Sequence, residues 1–242
     1  IGADGSSPSK ILIQSVNGKF TQLPQPEMEK NNGFETGAAL LIDLDGDEDV
    51  DIYEALGGYG NLDIENEINY KDRIYLNNGK GNFLAASLPA MKKSSRSCVT
   101  QIDIDGDKLP DLFVGSRVIP GFFPLIPQSH VLKNIGGGKF EDVSNKYPLV
   151  CNAGMITDAQ WIDIDGNKTG ELILVGNWMP IKIFNFKGNA SVETTADFFE
   201  HSPSGLWNKI EIADLDNNGR PEIIVGNLGE NSQLKVKENQ PL

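Results

Sequence analysis

The chain has 242 residues, 39% of them hydrophobic, with 26 glycines and a formal charge of −13. That length and hydrophobicity support a large buried core and exclude a disordered polymer, and the glycines point to a turn-rich fold. The acidity, with no basic stripe to offset it, argues against nucleic acid as a partner, and no apolar run is long enough to span a bilayer as a helix.

The first elements, KILIQSVNGKF at 10–20, read as a strand, a turn and a strand. From there one grammar repeats. A short apolar run (AALLI at 38–42, VTQI at 99–102, AQWI at 159–162, IEIA at 210–213) leads into an aspartate-rich loop. A second run follows the loop: VDIYEAL at 50–56, DLFVG at 111–115, ELILVG at 171–176 and EIIVG at 222–226. These runs are short and rich in β-branched and aromatic residues, which is strand composition. DRIYL, HVLK and IKIF supply a third strand, and glycine turns such as NNGKGNF at 77–83 and NIGGGKF at 134–140 lead to a fourth at Phe83 or Phe140.

Four antiparallel strands per repeat is the grammar of a β-propeller blade, so the expected fold class is all-β. The expected organisation is a single domain over 1–242, with a partial blade at 1–22, repeats at about 34–88, 96–145 and 156–196, and a partial blade at 207–242. That is about four blades' worth. The partial blades complete each other in a four-bladed ring, or the chain is a segment of a larger propeller; the segment is the favoured expectation.

The four loops start at Asp43, Asp103, Asp163 and Asp214, spaced by 60, 60 and 51 residues. Counted from the first aspartate, positions 1, 3, 5 and 9 place side-chain oxygens for a cation, and position 7 adds a carbonyl. The first loop offers Asp43, Asp45, Asp47 and Asp51 with the carbonyl of Asp49. The second offers Asp103, Asp105, Asp107 and Asp111 with that of Leu109. The third offers Asp163, Asp165, Asn167 and Glu171 with Thr169, and the fourth Asp214, Asp216, Asn218 and Glu222 with Arg220. All are hard oxygen donors, which suit Ca²⁺ better than zinc or copper, and the crowd of carboxylates suits it better than Mg²⁺. Up to four Ca²⁺ are expected, with the Asn-containing third and fourth sites the weaker. Gly46, Gly106 and Gly166 at position 4, and Asn217 and Gly219 in the last loop, tolerate a left-handed backbone. An EF-hand is excluded: it needs a glutamate at position 12 between helices, and only Glu54 fits.

Cys98 and Cys151 lie in neighbouring repeats, where a bridge is compatible with the spacing, but two buried free thiols are expected. His130 and His201 stand without a nucleophile or metal-ligand companion, and no phosphate loop or serine elbow is present, so no enzyme is expected. Trp161 and Trp207 are expected in the core, and Trp178, opening a short NWMP connection, as an exposed aromatic. Two long connections, 57–71 and 116–130, leave the end opposite the acidic loops. The second carries Ile119, Phe122, Phe123, Leu125 and Ile126 among prolines, and is expected to fold over the neighbouring blade or to dock a partner.

The loops and the LNNGKGNF hairpin resemble FG-GAP/VCBS repeats of integrin-α-type propellers. RVIPGFFPLIPQSHVLKNIGGGKFEDVS, MITDAQWIDIDG, VGNWMP, SGLWNKIEIADLD and VGNLGENS are similar to a bacterial surface branch related to cartilage acidic protein, whose members often carry an ASPIC/UnbV C-terminal region. The resemblance covers nearly the whole chain, although the namesake FG and GAP motifs are represented only by FETGAAL at 34–40. It implies a seven-bladed propeller, Ca²⁺ between the first two strands of each blade, and export, often as a lipid-anchored outer-membrane protein. The expected function is non-catalytic recognition or adhesion, or membership of a cell-surface assembly, with a protein or glycan partner. The alternatives are a calcium-dependent polysaccharide lyase and a glycan-binding accessory protein.

Overall fold

A computed structural model of the chain describes residues 2–4, 6–30, 33–58 and 67–228. It is all-β and built from antiparallel sheets, none of which closes on itself among the described residues. A two-stranded sheet, β1 (Ile11–Gln14) and β2 (Phe20–Leu23), comes first and is followed by one turn of helix, α1 (Pro26–Glu29). Two four-stranded units follow: β3 (Thr36–Ile42), β4 (Asp51–Leu56), β5 (Arg73–Asn77) and β6 (Phe83–Ala86), then β7 (Ser95–Ile102), β8 (Asp111–Val118), β9 (His130–Asn134) and β10 (Phe140–Asp142). After α2 (Pro148–Cys151), a third unit comprises β11 (Met155–Ile162), β12 (Glu171–Pro180), β13 (Lys182–Lys187) and β14 (Ala190–Glu193). The helical turn α3 (Thr195–Phe198) leads to β15 (Ser204–Ala213) and β16 (Glu222–Asn227). The far end of β12 pairs with the start of β15, so the third and fourth units share one six-stranded sheet.

The core lies between successive sheets. Side chains alternate across a strand, and the second strand of each unit uses both faces. Ile52 packs toward β1 and α1 while Tyr53 packs toward the second unit. Leu112 turns back to the first unit and Phe113 forward to the third. Leu172 and Ile173 repeat the arrangement one unit on. This explains why those runs read as unbroken apolar stretches: both faces are covered. β4 is buried at every residue, whereas β16 has no fully buried residue.

Each first strand carries a bulge six residues before its loop, at Gly37, Ser97, Thr157 and Asn208. The bulged hydroxyls stitch one unit to the next: Ser97 Oγ donates to the carbonyl of Ile156 at 2.6 Å, and Thr157 Oγ1 to that of Trp207 at 2.7 Å. At the first seam the bulge is glycine, because a Cβ there would stand 2.2 Å from the Arg96 carbonyl. That seam is held instead by Arg96, which reaches back to Asp72 (Nε–Oδ2 3.3 Å), itself bonded by the Tyr53 hydroxyl at 2.9 Å.

Both cysteines are buried free thiols, pushed up to about 12 by burial. Trp207 is buried and Trp161 is partly buried against the core. Trp178 does not open a connection. It sits inside β12 at a second bulge, with φ of 54°, because β12 bends there to leave its own unit and meet β15. In the connection 57–71, residues 59–66 lie outside the described residues, and Glu67–Tyr70 form a 3₁₀ turn. Residues 229–242 of the last repeat also lie outside them. Among the described residues no helix is long and apolar enough to cross a membrane.

Candidate metal centres

Every acidic loop connects the first two strands of its unit, so the four stand at equivalent ends of their sheets. The same hydrogen bonds rebuild each one. The position 9 carboxylate opens the second strand and accepts the backbone N–H of position 2: Leu44 to Asp51 at 2.7 Å, Ile104 to Asp111 at 3.0 Å, Ile164 to Glu171 at 2.9 Å and Leu215 to Glu222 at 2.7 Å. The position 1 aspartate accepts from position 4 in the first three loops and from position 5 in the last, at 2.7–3.1 Å. The position 3 aspartate accepts from position 5 at 2.9–3.4 Å.

Two left-handed residues close each turn. Position 4 has the glycine or asparagine expected there, with φ of 88°, 79°, 79° and 59°. Position 6 is left-handed as well: Glu48, Lys108 and Lys168 adopt φ of 72°, 68° and 72°, and only the last loop uses a glycine, Gly219. That strain is invisible in the residue types. It is offset by bonds from the position 6 N–H to the first aspartate, as from Glu48 to Asp43 at 2.9 Å and Lys168 to Asp163 at 2.8 Å.

The outcome is four carboxylate triads: Asp43, Asp45 and Asp51; Asp103, Asp105 and Asp111; Asp163, Asp165 and Glu171; Asp214, Asp216 and Glu222. Within each, one oxygen per residue lies within 4.8 Å of the others. Asp47 and Asp107 fall outside these groupings. Position 5 spends one side-chain oxygen on the N–H of position 7 in every loop: Asp47 on Asp49, Asp107 on Leu109, Asn167 on Thr169 and Asn218 on Arg220, at 2.7–3.0 Å. The carbonyls of Asp49, Leu109, Thr169 and Arg220 belong to the same turns.

Carboxylates held this close repel by about 4 kcal/mol per pair at 4 Å in a medium of effective dielectric 20, a cost that a divalent ion reverses. Burial raises Asp51, Asp111 and Glu171 above the ordinary carboxylate range, Asp111 to about 6. Asp45 is raised by burial and by its neighbours Asp51 and Asp47. One oxygen is specifically left over. Asp51 and Asp111 give their second oxygens to the N–H groups of Asn77 (2.8 Å) and Asn134 (2.7 Å). Glu171 is fully buried and its Oε1 accepts no well-formed hydrogen bond, although the Asn167 side chain lies close enough to the carboxylate to draw its pKa down. A buried carboxylate oxygen without a partner is costly, and a cation within the triad satisfies it. The residues fit a metal ion.

His130 is not isolated as its sequence context suggests. It begins β9, is buried, and its Nδ1 lies 3.0 Å from Asp142 Oδ2, with Ser144 Oγ 3.4 Å from the same nitrogen. The antiparallel pairing of β9 with β10 brings them together. A Ser–His–Asp relay needs serine on one ring nitrogen and the acid on the other. Here both crowd Nδ1, while Nε2 is buried without a partner. Phe122, Phe123, Leu125 and Ile126 are each more than half exposed, so the proline-stiffened loop does not bury them over a neighbour; Phe123 alone meets a ring of the next unit, Trp178, at 5.2 Å.

The chain matches no model of a known protein family, and no curated protein matches it.

Proposed function

We propose that this chain is a calcium-binding segment of an FG-GAP/VCBS-type β-propeller that works outside the cytoplasm, at the cell surface or outer membrane, as a non-catalytic recognition or assembly module. One observation carries the reading: the same three-carboxylate grouping is rebuilt in four units by the same backbone hydrogen bonds, with a buried Glu171 oxygen left for an ion. Positions 1, 3 and 9 hold the ion, and positions 5 and 7 complete its oxygen shell. Bound there, calcium ties the start of the second strand to the loop that precedes it and discharges much of the local repulsion. Four divalent ions offset eight of the thirteen excess negative charges. Sites of millimolar affinity, typical of extracellular calcium modules, fill outside a cell and stay empty in cytosol.

The test is a melt with and without chelator. At millimolar Ca²⁺ each filled loop stabilises by about 1–2 kcal/mol, so the midpoint rises clearly. An unchanged midpoint, with no calcium bound by elemental analysis, overturns the reading.

A glycan-binding accessory role is the second reading, favoured by one cavity. It measures about 460 Å³ and lies at the strand ends opposite the acidic loops. Asp4, Glu35, Ser95, Arg117, Thr157 and Asn208 line it, and Arg117 is braced by Asn177 at 2.9 Å. Binding on a glycan array without product release separates this role from a lyase.

A further inference from the structure

The first and second loops carry the same four aspartates at positions 1, 3, 5 and 9, yet their surroundings differ by one charge. Lys133, on β9, bonds Asp105 through its ammonium and stands 3.5 Å from Asp107 Oδ2. The strand registers fix its counterparts. Leu112 faces Leu132, Ile52 faces Tyr75 and Leu172 faces Phe184, so the residue after each is Lys133, Leu76 and Asn185. Among the described residues, the loop carboxylates of the other units meet no lysine or arginine at ion-pair distance.

We infer that Lys133 is a built-in competitor for the second loop: its ammonium holds the carboxylates a calcium ion takes, and the ion binds there only by expelling it. This rests on the calcium reading above. The backbone of Lys133 cannot retreat. The neighbouring Asn134 is buried, and its Nδ2 donates to the carbonyls of Leu44 (2.9 Å) and Pro110 (3.3 Å). The side chain can retreat, because it is 27% exposed. A second partner also waits for it. Glu141 stands directly across the β9–β10 ladder and is exposed, and opposite charges facing across a strand pair attract. An ammonium is a point charge on a flexible stem, so exchange from Asp105 and Asp107 to Glu141 needs rotation of side-chain bonds alone. The second loop therefore binds calcium more weakly than the first despite an identical set of side-chain ligands.

Equilibrium dialysis with radioactive calcium tests this on the full chain, comparing wild type with Lys133→Met, which keeps the apolar stem, and Lys133→Arg, which keeps the charge. Removing the charge tightens one site about three- to tenfold, the worth of one or two partly exposed ion pairs. The arginine variant leaves the isotherm near wild type, and adding Asp103→Asn to Lys133→Met abolishes the gain. Glu141→Gln weakens the same site slightly by removing the waiting partner. A Lys133→Met isotherm equal to or weaker than wild type, in a protein that binds calcium and melts normally, overturns the competition alone. No calcium bound by wild type at any loop overturns the cation reading, and the competition with it.

Discussion

The second and fourth acidic loops share the bonds accepted by positions 3, 5 and 9 and differ in what surrounds them. In the second, Asp111 is fully buried, its two oxygens take the N–H groups of Ile104 and Asn134, and β9 covers the turn. In the fourth, Glu222 is half-buried, takes the N–H of Leu215, and no third strand stands beside β16 among the described residues. Leu215 is 61% exposed, whereas Ile104 at the matching position is 4% exposed. The loop sequence thus specifies the turn, and the partners of the position 9 carboxylate, such as the Asn134 N–H on β9, set how firmly it is held.

The sharpest way to break this contrast is to delete the same carboxylate in each loop. In chelator, Asp111→Ala leaves two buried N–H groups unpaired and should cost about 3–5 kcal/mol in urea unfolding, while Glu222→Ala should cost about 1 kcal/mol or less. Similar losses would show that the covering strand is irrelevant.

Acid offers a smaller lever. In the chelated protein Asp51, Asp111 and Glu171 are raised by burial, so the folded state holds their protons more tightly than the unfolded chain does. Their contribution is fully present below the unfolded carboxylate range and is lost as pH rises through the folded values, about 6 for Asp111. The melting point in chelator should therefore rise between about pH 7.5 and 5.5, and saturating calcium should reverse the slope, since the ion needs ionised ligands. Parallel slopes in both conditions would place the effect elsewhere.

The smallest expected effect concerns position 6. Lys168→Gly, which copies Gly219 of the fourth loop, relieves a left-handed lysine and should stabilise by about 1 kcal/mol. The reverse change, Gly219→Lys, should cost about as much.

The strands were legible because both signals are local. Alternation and β-branched runs predict the second and third strands and the starts of β6 and β10, but only the trailing parts of β7, β11 and β15 and nothing of β14; aspartate at every second position marks the turns. The triads at positions 1, 3 and 9 were legible for the same reason. What escaped depends on neighbours in space. Lys133 looks like any strand lysine until β9 is laid beside the second loop. His130 looks solitary until β10 brings Asp142 and Ser144 to it. The bulges at Gly37, Ser97, Thr157 and Asn208 share a place but no residue type, so no motif announces them. Trp178 reads as a loop residue because the bend that carries β12 toward β15 occurs within a strand.

The seams between units are joined by two different materials. Neutral hydroxyls close the later ones, whereas the first relies on the buried guanidinium of Arg96 against Asp72, a carboxyl that burial pushes upward. Removing either partner would strand the other in a dry interior, and nothing comparable threatens a serine or threonine. Truncating Asp72 or Arg96 should therefore loosen the leading sheets far more than the loss of one hydroxyl loosens a later joint.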